Sequence, residues 1–339
     1  MRYEIVPFHE GLLPAAGELL AARHVRDRID LPLLPQRFEE TRKALAAVRE
    51  VWHRPWTSGM AAMTGGRMVA YLMGEARFET LRGRHVWIHL PGHARAEDVA
   101  AAVYADLYAS AGPAWLDLGA FDHYVQMPAA DSDGLDAWYG LSFGREQAHG
   151  LRSLAEPLPE AREMAGIVVR RAVETDRDLL VEELSPLLRR HMTGPPVWGV
   201  ALPESVGFMR ESFSEMLDDD HIHVWLAVEK DDAGGERVLG YQAYYPGTPA
   251  DDDLTIPLSD RAVVLQLAAT RGEARGRGIG RALARAGLAD AIDNGYKMCV
   301  ADWRTTNIEA NRFWPQLGFV PAVYRLVRKV DPRIAWATF

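Results

Sequence analysis

A strand-like run that leads through a glycine-rich turn into a helical segment constrains the fold of this chain most. The apolar run is Ala262–Thr270, the turn has glycine at positions 276, 278 and 280, and the alanine-rich segment ends at Gly295. Glycines at the start of a helix leave backbone N–H groups uncovered, and the positive end of the helix dipole lies at the same place. The pattern predicts a strand, an anion-binding loop and a helix.

The charges around this loop indicate which anion it would bind. The chain has a formal net charge of −9, yet arginines crowd the loop: Arg271, Arg275, Arg277, Arg281 and Arg285. A dinucleotide fingerprint would need glycine at position 281, and a P-loop would need Gly-Lys followed by Ser or Thr, which does not occur. A different cofactor that carries a pyrophosphate is therefore expected.

A second motif follows the helix. After a predicted buried strand, Lys297–Trp303, the chain reads Asn307-Ile-Glu-Ala310-Asn-Arg-Phe313-Trp314 and then Leu317-Gly-Phe319. This motif and the Arg-x-x-Gly-x-Gly loop together resemble the two signatures of the GNAT family of acyl-CoA-dependent N-acyltransferases. The resemblance covers residues 166–330 and implies that acetyl-CoA is the cofactor.

The resemblance also implies a geometry for the site. The strand before the loop would splay from the strand after the helix, so that its backbone pairs with the pantetheine arm while the loop amides hold the pyrophosphate. Where the family carries a tyrosine that protonates the leaving thiolate, this chain has a tryptophan, whose indole N–H is a feeble acid. The implied cofactor-binding residues are Leu267, Ala268, Ala269, Thr270, Arg275, Gly276, Arg277, Gly278, Ile279, Gly280, Arg281, Asn307, Phe313 and Trp314.

For acid–base catalysis the sequence offers several candidates. Asp302 lies at the end of a predicted strand beside Asn307, and His221 and His223 lie on or near a strand of the same half. Any of the three could act as the general base, and histidine has an intrinsic pKa near neutral pH. Tyr324 or solvent could serve as the acid in place of the missing tyrosine. Each base also has a structural interpretation, Asp302 as a helix cap or salt-bridge partner and the two histidines as solvated strand-edge residues.

The first half of the chain repeats the design of the second. Opening strands at Tyr3–Val6 and Ile167–Arg170 are each followed by a helical stretch and two apolar strands. The first half also has a predicted helix from Ala96 to Leu107, a break at Gly112-Pro113 and a predicted strand at Ala114–Leu118. Three positions near the end of each half align without a gap: Asp131 with Asn307, Trp138 with Trp314, and Phe143 with Phe319.

This repeat predicts the fold class and the domains. We expect an α/β (α+β) protein of two tandem GNAT domains, each a mixed, largely antiparallel twisted sheet flanked by helices. Residues 1–158 would form a degenerate domain that is a structural partner and part of the substrate wall, because Glu97 stands where the second half has Gly278. A carboxylate and a Cβ atom there would repel and crowd a pyrophosphate. Residues 166–339 would form the catalytic, acetyl-CoA-binding domain.

Composition excludes several other classes of protein. The chain is 48% hydrophobic and 25% charged, without a run of 18 apolar residues or a signal-peptide-like amino terminus, so we expect a cytoplasmic protein with no membrane partner. Its acidity argues against a nucleic-acid partner. The single Cys299 lies in a predicted strand and reads as a buried residue. No metal is expected, because Asp231–Glu236 and Asp251–Asp253 read as exposed turns.

The leading functional hypothesis is an acetyl-CoA-dependent N-acetyltransferase that acts on the amine of a small molecule, as a monomer or homodimer. Because the acidic tyrosine is missing, a non-catalytic acyl-CoA-binding or regulatory protein is the alternative. A tRNA-dependent aminoacyl transferase is less favoured, since the CoA loop is intact and the chain is acidic.

Overall fold

The computed structural model describes residues 3–80, 82–160, 162, 164–194, 197, 199, 202–230, 235–247 and 261–336. These residues form two compact units. The first unit contains the described residues up to 149 together with residues 321–336, and the second contains those between 150 and 320. Of the acidic stretches Asp231–Glu236 and Asp251–Asp253, predicted to be exposed turns, residues 231–234 and 251–253 lie outside the described residues, and Glu236 is the exposed first residue of a strand.

Strands and helices alternate along both halves of the chain. The first half contains β1 (Glu4–Pro7), α1 (Leu13–Asp30), α2 (Thr41–Trp52), β2 (Thr57–Thr64), β3 (Arg67–Glu79), β4 (Gly83–Ile88), β5 (His93–Arg95), α3 (Val103–Asp117), β6 (Asp122–Pro128), α4 (Ser132–Gly140) and β7 (Gly144–Ser153). The second half contains β8 (Ile167–Arg171), α5 (Arg177–Leu179), α6 (Ser185–Thr193), α7 (Ser205–Glu215), β9 (His223–Lys230), β10 (Glu236–Gly247), β11 (Ala262–Thr270), α8 (Ile279–Asp293), β12 (Met298–Arg304), α9 (Ile308–Gln316) and β13 (Val320–Lys329).

The two units have matching sheets. In the first, the strand order is β1-β2-β3-β4-β6, and only the pair β4–β6 is parallel. In the second, the order is β8-β9-β10-β11-β12, and only the pair β11–β12 is parallel. The mixed, largely antiparallel α/β fold predicted from the sequence is therefore confirmed.

Most of β13 and the end of β7 belong to the unit that is formed mainly by the other half of the chain. β13, at the end of the second half, pairs with β6 from Val323 opposite Pro128 to Lys329 opposite Asp122. The end of β7, from Gly150 onward, belongs to the second unit, where β7 is the neighbour of β12. The compact units thus differ from a simple division into 1–158 and 166–339. The assignment of a structural and a catalytic role to these stretches stays a prediction.

Helices cover both faces of each sheet. In the first unit, α1 and α2 bury Leu13 and Val48 on one face, and α3 buries Tyr104 and Trp115 on the other. In the second unit, helices α6 and α7 cover the face that carries Tyr241 and Ala243, while Leu283 of α8 packs on the opposite face. Among the described residues, no helix has both the length and the apolar character that crossing a membrane requires.

One predicted strand is wrong. Ala114–Leu118 falls at the end of α3, which runs through Gly112 and Pro113, and the strand is Asp122–Pro128 instead. The predicted helix from Ala96 is also wrong at its start, since α3 begins at Val103. Leu107, Ala111 and Trp115 recur at helical spacing and are all buried in the core. Their burial offsets the roughly 3 kcal/mol that an interior proline costs a helix.

The predicted alignment of the two halves is confirmed in structural detail. Asp131 caps α4 by accepting a hydrogen bond from the Gly134 amide at 3.0 Å, and Asn307 caps α9 by accepting one from Ala310 at 3.2 Å. In both halves a buried tryptophan then meets the phenylalanine five residues later edge to face. The ring centroids are 4.8 Å apart for Trp138 and Phe143 and 5.6 Å apart for Trp314 and Phe319.

Candidate cofactor and active site

The parallel strands β11 and β12 pair at one end and separate at the other. Their register runs from Ala262 opposite Met298 to Leu265 opposite Ala301, and it extends no further within residues 261–336. A β-bulge explains the divergence, because the register of β10 with β11 shifts at Ala243, leaving Gln266 as an extra residue. Bulges bend a strand and increase its twist. We call the resulting opening between β11 and β12 the wedge.

The part of β11 beyond the bulge presents backbone groups to the wedge. The Arg271 amide donates to the Leu239 carbonyl of β10 at 2.8 Å, so alternate residues of β11 also point their backbone groups toward β10. Ala268 and Thr270 lie between the residues whose backbone groups face β10, so their own N–H and C=O groups point toward the wedge. Backbone donors and acceptors at this spacing suit an extended chain that lies alongside β11.

The glycine-rich loop leads from the wedge into α8. Gly276 and Gly278 have φ values of 74° and 88°, a left-handed region that favours glycine. Gly278 caps α8 without a side-chain hydrogen bond. Within the described structure, none of the consecutive amides from Gly276 to Gly280 donates to a hydrogen-bond acceptor. They lie at the positive end of the helix dipole, where an anion is stabilised.

Three of the arginine side chains around the loop are held by partners of their own. Arg271 donates to the Val238 carbonyl at 2.6 Å, and its guanidinium also pairs with Glu183. Arg275 pairs with Glu309 at 2.9 Å, and Arg277 pairs with Glu229 at 2.8 Å. In the part of the chain that the structure describes, the backbone amides of the loop therefore have no competing acceptor, whereas these three guanidinium groups do.

Helix α9 closes the other side of the wedge. Asn307, its N-cap, is 6% exposed and lies just beyond the end of β12. Phe313 packs against the loop helix, since a Cβ atom on Gly280 would lie 3.1 Å from its Cζ. Trp314 is buried between Phe313 and Phe319, with ring centroids 4.8 and 5.6 Å away. Trp314 is thus a core residue in this arrangement.

The predicted catalytic residues lie in three different places. Asp302 follows Ala301, the last residue of β12 that pairs with β11, and is half-buried at the opening of the wedge. His223 lies two strands away, and its Nδ1 contacts Asp290 while its Nε2 contacts the Asp220 carbonyl at 3.2 Å. Tyr324 belongs to the first unit, where the Arg145 guanidinium lies 3.7 Å from its ring centroid.

Sequence reasoning did not identify two residues that support the loop. Gln242 of β10 is 2% exposed, and its Nε2 donates to the Gly280 carbonyl at 3.1 Å. The Tyr244 hydroxyl donates to Gln242 Oε1 at 2.8 Å and so fixes the amide. A glutamine between apolar neighbours in a buried strand was a usable signal, because a buried amide needs hydrogen-bond partners.

The equivalent place in the first unit is filled by the chain itself. β4 and β6 pair from His85 opposite Asp122 to Ile88 opposite Val125. Beyond that point, the Leu90 amide donates to Gln126 Oε1 at 3.0 Å, and His93 Nε2 lies 2.7 Å from the Gln126 carbonyl oxygen. Glu97 precedes α3 by several residues and caps no helix. These contacts support the prediction that the first half is degenerate.

Comparison with known proteins shows which family the second half of the chain is similar to. Residues 189–319 match the model of the acetyltransferase (GNAT) family. Residues 189–319, in the second half of the chain, are thus similar to a GNAT domain. The match spans the wedge, the loop and α9, the three features that the resemblance in the sequence implied. A comparison with curated protein sequences gives no match.

Solved structures show that the whole chain shares the tandem GNAT fold. A GCN5-related N-acetyltransferase from Sphaerobacter thermophilus has a TM-score of 0.60 at 15% identity, with 97% of this chain and 96% of that chain covered. A tandem GNAT protein from the clavulanic acid biosynthesis pathway has a TM-score of 0.52 at 14% identity, with 98% and 99% covered. At these identities the likeness is one of fold.

Proposed function

We propose that this chain is an acetyl-CoA-dependent N-acetyltransferase that acts on the amine of a small molecule. The second unit would be catalytic, and the first would be a structural partner. The observation that carries the proposal is the run of amides from Gly276 to Gly280, which find no acceptor among the described residues and lie at the end of the wedge between β11 and β12. The match of residues 189–319 to the GNAT acetyltransferase family supports it.

The residues around the wedge fit an acyl-CoA. The loop amides would hold the pyrophosphate, and the backbone groups of Ala268 and Thr270 would pair with the amides of the pantetheine arm. Asn307, at the opposite wall, offers a side-chain amide to the same arm. When bound, acetyl-CoA supplies an activated acetyl thioester, and the chain contributes orientation and hydrogen-bond donors in a partly enclosed site.

The chain favours direct transfer to the amine within a ternary complex. An acetylated enzyme intermediate would need a nucleophile, and the single cysteine is unsuited to the role. Cys299 is fully buried, and burial raises the pKa of its thiol to about 12. Asp302 is the proposed general base, because it is the predicted catalytic residue that lies at the wedge. His223 would serve to tie β9 to α8 through Asp290.

The proposal is tested by measuring release of CoA from acetyl-CoA in the presence of amines, amino sugars and short peptides. We expect amine-dependent release by the intact protein and none by a Gly278→Glu variant. Saturable binding of acetyl-CoA without release on any amine would instead support the acyl-CoA-binding or regulatory alternative, which the absence of a tyrosine at position 314 favours. Absence of binding at saturating concentrations would refute both.

Trp314→Tyr tests the missing acid. The tyrosine hydroxyl would stand where the family resemblance expects an acid, so turnover should rise by about tenfold, below the usual contribution of a general acid because a thiolate already leaves readily. Trp138→Tyr in the first unit is the matched control, since both indoles are buried against a phenylalanine. Calorimetry should show that the free energy of unfolding falls by about 1–3 kcal/mol in both variants. Equal turnover in both would show that no acid is lacking.

A further inference from the structure

Gln266, the extra residue of the β-bulge, is exposed although it lies in a central strand. β11 has β10 on one side and β12 on the other, and Leu265, the residue before Gln266, is only 3% exposed. Because helices cover both faces of this sheet, an exposed side chain here marks a gap in that cover. No hydrogen bond joins the Gln266 side chain to any other residue that the structure describes. Its amide is therefore available to a ligand that enters the gap.

The alternation of side chains shows on which face of the sheet this gap lies. Val264 of β11 pairs with Tyr245 of β10, which packs against the core that α6 and α7 cover. Successive side chains of a strand point to opposite faces, so Leu265 faces α8 and Gln266 faces the side of α6 and α7. Leu267 packs against the same core as Tyr245. Both residues at the bulge thus lie on one face.

Asp302 lies opposite Gln266 at the point where β11 and β12 separate. The last pair in the register of these two strands is Leu265 with Ala301, and each polar residue comes next in its own strand. Paired residues share a face, so Asp302 also faces the side of α6 and α7. The next residue agrees, since the indole of Trp303 donates to a side chain of α9, the helix that packs beside α8. A carboxylate and an amide therefore stand on the two sides of the wedge opening.

The proposed reaction leaves one N–H of a primary amine for this amide. The nitrogen of the neutral amine forms a C–N bond with the acetyl carbon while the C–S bond breaks. One N–H proton passes to Asp302, which returns it to solvent, and the departing thiolate takes a proton from solvent. The second N–H stays on the nitrogen and becomes the N–H of the product amide. A secondary amine or a hydroxyl has a single proton, so after giving it to Asp302 it has none to donate to Oε1 of Gln266.

We propose that Gln266 binds the acceptor through Oε1 and thereby selects primary amines over secondary amines and hydroxyls. This inference rests on the proposed function and names the class of acceptor that the site would use. Oε1 holds the N–H that stays on the nitrogen, which orients the nitrogen lone pair toward the acetyl carbon. A carboxamide does not titrate near neutral pH, so Gln266 orients the amine and exchanges no proton with it.

Two substitutions at position 266 separate hydrogen bonding from shape. Gln266→Leu keeps a side chain of similar volume and removes the acceptor oxygen, whereas Gln266→Glu keeps an acceptor oxygen at the same place. Gln316→Leu is the matched control, because Gln316 is also an exposed glutamine of the second unit and lies at the end of α9. Thermal unfolding checks that all three variants are folded.

The preference for a primary amine over its N-methyl derivative is the readout that a merely structural role would not change. The probes are the primary amine that the native protein acetylates fastest in the CoA-release test and the same compound with one methyl group on its nitrogen. In Gln266→Leu, the ratio of their kcat/KM values should fall by about tenfold, and in Gln266→Glu by at most about threefold. The KM for acetyl-CoA should stay native in both variants, and Gln316→Leu should keep the native ratio.

The outcomes distinguish this inference from the proposed function. An equal loss of activity with both amines in Gln266→Leu, or native activity with both, would overturn the role of Gln266 while the proposed function stands. Equal use of the primary and the N-methyl amine by the native protein would do the same. If the native protein releases no CoA with any amine, the inference and the proposed function are overturned together.

Discussion

Replacing Gly278 by glutamate is expected to weaken the binding of CoA by about 100-fold or more while leaving the fold intact. Gly278 has a φ of 88° and is the N-cap of α8. A side chain at this φ is strained, and a carboxylate would lie among the amides that are proposed to hold the pyrophosphate. Lost hydrogen bonds to a charged group cost about 1.5–3 kcal/mol, and like-charge repulsion adds to that loss. Titration calorimetry with CoA measures the effect.

Two alanine variants separate the effect of backbone strain from the effect of the added carboxylate and from the effect of the position in the loop. Gly278→Ala adds the same backbone strain without a carboxylate, and Gly295→Ala adds it beyond the other end of α8, where φ is 80° and no atom lies within 4 Å of the new Cβ. Both should lower the melting temperature to a similar extent, since left-handed backbone costs roughly 1–2 kcal/mol per residue. Of these two alanine variants, only Gly278→Ala should have a lower affinity for CoA. Native affinity in Gly278→Glu would show that the pyrophosphate binds elsewhere.

The loop could be predicted because its structure depends on residues that are adjacent in sequence. The predicted strand Ala262–Thr270 coincides with β11, and α8 begins directly after Gly278. Glycine chemistry and helix-end geometry are local, so the residue types alone indicate an anion site. The end of each repeat was predictable for the same reason, since Asp131 and Asn307 are N-caps with short-range hydrogen bonds.

Features that depend on distant contacts could not be predicted from the sequence. The bulge at Gln266 arises from the pairing of β10 with β11, and nothing in the local sequence marks it. His191 meets Arg275 across 84 positions of sequence. The placement of β13 beside β6 also depends on tertiary structure, and so does the continuation of α3 through Pro113. In each case packing decided between local alternatives that the sequence left open.

Gly287 illustrates how such packing can reverse a local preference, and substituting it is expected to have a large effect on stability. In the interior of a helix, alanine is favoured over glycine by about 1 kcal/mol. A Cβ atom on Gly287 of α8, however, would lie 2.1 Å from Cε2 and 2.3 Å from Cζ of Tyr244, which is 2% exposed. Either the ring or the helix must move. Overpacking of this kind costs about 1–3 kcal/mol or more.

We therefore expect Gly287→Ala to lower the free energy of unfolding by about 3 kcal/mol, whereas Gly207→Ala in α7 should raise it by about 1 kcal/mol. Gly207 is the matched control, because its Cβ position has no atom within 4 Å. Thermal unfolding measures both. Tyr244 holds Gln242, and Gln242 holds the Gly280 carbonyl, so Gly287→Ala should also weaken CoA binding. In the double variant with Tyr244→Ala, the loss of stability should be smaller than the sum of the losses in the two single variants, because the clash is present in Gly287→Ala alone. Equal stabilisation by both alanines would contradict the packing of Tyr244 against α8, and with it the support that this packing gives the loop.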